Sequence, residues 1–175
     1  MAFDAYCYFP GSNIEGETTD SSMSTNKAFE IKNFDIGAEN TTDVSSATGG
    51  STGGRASFKS LSFTKNTDKA SCRLLSALLS GTPQAEMKIE LRRSGGSSTT
   101  SGTTFLMFEF KQVVVADISW AGSDGDDVCT ETLELKFGAM RSTYTGHDTT
   151  AGNVDPVTAE WSAVRNEASF SVASS

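Results

Sequence analysis

One histidine, three cysteines and three prolines in 175 residues leave little material for metal, thiol or acid–base chemistry. His147 has no nucleophile-elbow motif near it and reads as a loop residue in solvent. Cys7, Cys72 and Cys129 show no zinc-ligand spacing with it. They also leave one thiol over under any pairing, which points to free thiols in a reducing cytoplasm. No apolar run approaches the ~20 residues of a membrane span, so no membrane insertion is expected. The N-terminus lacks the basic start and apolar core of a secretory signal. Lys and Arg total 14 against 22 Asp and Glu, a net charge of −8. Nucleic-acid binding needs clustered cations, so nucleic acid is not an expected partner. These shortages together argue for a protein without a cofactor and without catalysis.

What the chain does have is period-two alternation. Met87, Ile89 and Leu91 alternate with Lys88 and Glu90, a one-sided strand. Phe3, Ala5, Cys7 and Phe9 do the same, as do Leu133, Leu135, Phe137 and Ala139. Leu61 and Phe63 alternate with Ser62 and Thr64 up to a polar turn at Asn66–Asp68. That turn can cap a helix carrying Leu74, Leu75, Ala77, Leu78 and Leu79, stopped by Gly81. One short helix at about residues 68–80 among many strands predicts a mainly β protein, a compact barrel or two-sheet sandwich. The length suits a single domain over 1–175. Residues Phe105 to Ile118 differ, because Leu106, Phe108, Phe110 and Val114 alternate with Phe105, Met107, Val113 and Val115. Apolar residues on both faces imply a second layer or a neighbouring subunit, so Phe105, Met107, Val113 and Val115 are candidate subunit contacts.

Several segments imitate functional motifs. Gly49–Gly54 lacks the Gly-Lys-Ser/Thr ending of a phosphate loop and reads as a connection. Asp124, Asp126 and Asp127 lack the alternate spacing and distal Glu of a calcium loop and read as a tight acidic turn. Arg92 and Arg93, ahead of Gly95-Gly96, form a basic spot on an acidic protein. They could meet Asp124, Asp126 and Asp127 of another copy. Trp120 and Trp161 read as core or interface anchors.

The order of these segments carries a resemblance. Met1–Tyr6 with Ile14–Asp20, Phe29–Ile31 with Phe34–Gly37, the LSFTK strand ahead of DKAS, Leu91–Gly96, Thr130–Phe137 and Pro156–Trp161 are together similar to the haemolysin-coregulated protein (Hcp) family. Members of that family are tube subunits of bacterial type VI secretion systems. Met23 stands where many members carry a His. The resemblance implies a β subunit with one flanking helix, closed into a homohexameric ring. It implies rings stacked into a tube inside a contractile sheath, capped by a spike protein of the valine–glycine-repeat family and carrying small effectors in the lumen. It also implies secretion from the cytoplasm without a signal peptide. Arg92, Arg93, Asp124, Asp126 and Asp127 are then candidate ring-stacking residues. The residues alone leave open a phage-tail-tube-like protein of another contractile system and a monomeric ligand-binding β-barrel.

Overall fold

The structure is a computed structural model that describes residues 3–41, 43–44, 51–52, 55–93, 102–148, 152–153 and 155–173. The glycine run 49–54 and the Gly95-Gly96 turn lie wholly or mostly outside those residues. The first strands are β1 (Phe3–Tyr8), β2 (Phe29–Glu30), β3 (Asn33–Asp35), β4 (Ala38–Asn40), β5 (Asp43–Val44), β6 (Ser51–Thr52), β7 (Ala56–Phe58) and β8 (Leu61–Asn66). Helix α1 (Lys69–Ser80) follows. After it come β9 (Gln84–Arg93), β10 (Thr103–Ala121), β11 (Thr130–Lys136), β12 (Ala139–Tyr144), β13 (His147–Asp148), β14 (Gly152–Asn153) and β15 (Val157–Ser162).

Two antiparallel sheets share one strand. The first runs β2-β1-β9-β10-β12-β15 and the second β10-β11-β8-β3. The first half of β10 lies between β9 and β12, and its second half pairs with β11. The sheets do not close into a barrel, so the sandwich alternative holds. Leu61, Phe63, Met87, Ile89, Leu133 and Leu135 fill the space between the sheets, almost wholly excluded from water. Each is at an inward position of its strand's alternation, which is why the one-sided pattern was readable.

The helix forms where the turn chemistry asks for it. Asp68 is its N-cap, accepting from Ala70 N at 2.9 Å, while Ser71 Oγ accepts from Asp68 N at 3.0 Å. That reciprocal pair satisfies two otherwise orphaned donors. Gly81 closes the helix in the left-handed region at φ +63°, with its N–H on the last-turn carbonyls. Ala70, Leu74 and Ala77 turn into the core.

The two-sided pattern of β10 has a local cause. Phe108 and Phe110 face the core at even positions, but Val113 and Val115 face it at odd ones, and Ile118 returns to even. The first switch occurs at Gln112, a non-glycine residue at φ +54°. The second occurs at the irregularity between Val115 and Asp117. Such re-phasing bends a strand and re-aims its side chains. These switches account for Val113 and Val115 but not for Met107, which lies ahead of them on the face opposite Phe108 and Phe110.

Candidate assembly interface

The residues singled out from sequence fall into three environments. Val113 and Val115 are buried in the core of a single chain, at 0% and 3% exposure. Their side chains have no surface left for a neighbour, which corrects their selection as subunit contacts. Phe105 and Met107 are half-buried. Phe105 meets Phe3 edge-to-face at 6.2 Å, and the Arg93 guanidinium lies 4.5 Å from its ring centre. Phe3 is itself half-exposed, so this aromatic pair reaches the surface.

Arg92 and Arg93 separate across the strand. Arg92 is buried, pairs with Asp20 at 3.1 Å and donates to the Gly102 carbonyl. The segment around Met23 and Ala28 covers this outer face of β1 together with Tyr6 and Tyr8. Asp20 is held below the usual carboxylate range, first by the backbone N–H of Met23, against the opposing effect of burial, and then by Ser22 and Arg92. Arg92 is thus spent inside the subunit and is not available to a stacked ring. Arg93 is exposed. Asp124, Asp126 and Asp127 are exposed at the tip of the β10–β11 hairpin, far from Arg93 along the fold. Asp126 accepts from Ser123 N at 2.9 Å, and Gly125 at φ +100° lets the turn close.

Beyond Arg92 the outer face of the first sheet carries a line of ion pairs. Glu109 is almost wholly buried and bonds Arg141 at 2.6 Å and Lys88 at 3.0 Å. Burial alone would raise its carboxyl, but the hydrogen bonds from Arg141 and Lys88 outweigh that and hold it below the ordinary range. Tyr8 donates to Glu90 at 2.6 Å, and Thr104 donates to the same carboxylate at 2.9 Å.

Among the described residues, two of the strand edges carry exposed large apolar side chains. The outer edge of β15 is bridged, among the described residues, only at Ser162, to Glu167, and Val157 and Tyr144 are exposed partners across β15 and β12 at its open end. The second half of β10 has, among the described residues, β11 on one side only, and Trp120 is 43% exposed there. Unpaired edges with exposed apolar side chains are where another chain can add. Among the described residues no group of three His, Cys, Asp or Glu side chains is placed to hold a metal ion, and no helix is long and apolar enough to cross a membrane.

A buried ionic node escaped the sequence reading. Lys65 and Glu131 are both fully buried and bonded at 2.7 Å, with Asp68 and Ser71 completing the cluster. The signal was parity: Lys65 shares its face with Leu61 and Phe63, and Glu131 with Leu133 and Leu135. Charge hid what alternation showed.

Comparison with known proteins agrees with this architecture. A family model described as type VI secretion system effector, Hcp, matches residues 6–144. The protein Hcp1 of Pseudomonas aeruginosa is 32% identical over 90 residues, covering 51% of this chain and 54% of its own length. The alignment thus spans about half of that curated relative. A solved type six secretion system protein superposes with a TM-score of 0.83 at 27% identity, over 95% of this chain and 99% of that one. Hcp1 from Salmonella typhimurium gives a TM-score of 0.72 at 23% identity over the same shares, a likeness of fold.

Proposed function

The chain belongs to the Hcp family of the type VI secretion system, and from that membership we propose that it is the subunit of the system's inner tube. Six copies close into a ring, rings stack inside a contractile sheath beneath a valine–glycine-repeat spike protein, and the tube leaves the cell on contraction. Small effector proteins ride in the lumen. The observation that carries this reading is the family match over residues 6–144 together with a shared fold over 95% of the chain.

Self-association is supported by two strand edges that carry exposed apolar side chains. A chain that presents β15 on one side and the second half of β10 on another can make heterologous contacts, and such contacts close into a ring when the rotation permits. Phe105 and Met107, with Tyr144 and Val157, are the proposed ring contacts. The chain acts here through geometry, as one structural domain over 1–175, with no reaction of its own. Light scattering with negative-stain imaging of the same peak tests it. A six-copy mass with ring-shaped particles is expected, and a clean monomer would remove the ring and bring a ligand-binding subunit forward.

A further inference from the structure

Strands β8 and β11 run antiparallel, with Leu61 opposite Leu135 at one end and Asn66 opposite Thr130 at the other. Just beyond the Leu61–Leu135 end, a cleft of about 390 Å³ is lined by Arg55, Phe58, Lys59, Lys136, Phe137 and Ala163. The Phe58 and Phe137 rings stand 4.9 Å apart within it. Arg55, Lys59 and Lys136 are exposed, and none has an ion-pair partner among the described residues. Arg55 is steadied by donating to the Ala163 carbonyl at 2.8 Å. One carboxylate sits at the rim, where Glu39 accepts from Ser57 at 3.4 Å. Beyond the other end of the same strands projects the acidic tip with Asp124, Asp126 and Asp127, also without ion-pair partners among the described residues. Trp120 and Val128 are exposed on either side of that tip. The seven residues of β11 alone hold the two features roughly 20 Å apart.

We propose that the acidic hairpin tip of one copy docks into the Arg55–Lys59–Lys136 cleft of a copy in the next ring. This rests on the tube-subunit reading and names its stacking contact. On a chain of net charge −8, copies repel as they approach, and a concave site with three cations that lack ion-pair partners among the described residues is a local exception. Opposite charges at opposite ends of one strand pair make a head-to-tail contact that every copy both offers and receives. Phe58 and Phe137 give the cleft an apolar floor for Trp120 or Val128. Exposed charges bind weakly and are screened within ~8 Å at physiological salt, which suits a contact that must come apart again. Six such contacts per ring act together, so weak single contacts suffice. Arg92, buried against Asp20, cannot take the receiving role.

The test joins the two surfaces covalently. Lys59→Cys and Asp126→Cys are combined in a chain carrying Cys72→Ser and Cys129→Ser, and rings are oxidised at low salt. A ladder of disulfide-linked species extending beyond six copies, collapsed by reductant, is expected. A second measurement uses charge swaps. A chain carrying Asp124→Lys, Asp126→Lys and Asp127→Lys, and another carrying Arg55→Glu, Lys59→Glu and Lys136→Glu, should each fail to stack, while their mixture forms stacks. Intact six-copy rings with no ladder and no rescue on mixing would overturn the contact and leave the tube reading standing. A ladder confined to one ring would overturn the axial assignment, and a monomeric wild-type chain would remove the reading beneath it.

Discussion

Lys65 and Glu131 are directly opposed partners on β8 and β11, both fully buried, with Nζ 2.7 Å from Oε1. The Lys65 ammonium also bonds Asp68 at 2.7 Å, Ser71 at 3.2 Å and the Asn66 carbonyl at 2.8 Å, and sits 5.0 Å from the Phe29 ring centre. One cation thereby ties β8, β11 and the first turn of α1 together.

Removing one member of that pair leaves the other charged and buried. Glu131→Ala should cost about 3–5 kcal/mol, read by urea denaturation. The double replacement Lys65→Met with Glu131→Leu should recover part of the loss, because it leaves no unpaired charge of the pair but still removes the ammonium from Asp68, Ser71 and the Asn66 carbonyl. A double variant as unstable as the single one would mean that the node is required for more than charge balance.

Acid should weaken the fold through Glu109 and Asp20, whose carboxyls are both held below their ordinary range. A lowered folded-state value adds stability that is fully present above the unfolded value, near pH 4. That stability is lost as pH falls through the folded value. The Glu109→Gln protein should start less stable at neutral pH and show a flatter acid limb than wild type. Parallel limbs would deny Glu109 this role.

The three thiols differ in access. Cys72 and Cys129 are exposed, whereas Cys7 is fully buried, and burial pushes its thiol well up against a smaller opposing effect from Lys65. A thiol reagent should titrate two groups quickly in the native monomer and the third only on unfolding. Rapid reaction of all three would contradict the burial of β1.

Core and edge substitutions should separate stability from assembly. Val113→Lys places a charge in the core and should unfold the chain. Val157→Glu lies on an exposed edge and should change stability by about 0.5 kcal/mol or less, while lowering the assembled mass seen by light scattering. Normal assembly of Val157→Glu would take the β15 edge out of the interface.

Replacing Gln112 by Gly relieves a left-handed backbone at φ +54°. The folded state gains about 0.5–1 kcal/mol from this and loses a similar amount of restriction in the unfolded chain. Near-neutral stability is expected by thermal melting, against a loss of several degrees for Gln112→Val, whose branched Cβ suits that region poorly.

Much of the fold was legible because turn chemistry and alternation agreed. Asp68, Ser71 and Gly81 mark both ends of α1 by hydrogen-bonding and φ preferences that depend on neighbours in sequence. Met87, Ile89 and Leu91 needed only a period of two. Residues Phe105 to Ile118 misled because a single left-handed residue at Gln112 reverses parity, and glutamine carries no mark of that conformation. Arg92 misled for a different reason: what buries it is the segment near Met23 and Asp20, some seventy residues away. The basic cleft likewise draws Arg55, Lys59 and Lys136 from segments that join only when β8 meets β11. Contacts of long sequence separation leave no local trace.

Strand β10 continues without interruption for nineteen residues from the middle of one sheet to the edge of the other. Two sheets joined only through side chains could slide past each other under shear by giving up dispersion contacts a few at a time. Here a tangential pull on β12 or β9 travels along covalent backbone to β11. Yielding then requires whole ladders of hydrogen bonds to break together, so the chain bears such a pull as one stiff body.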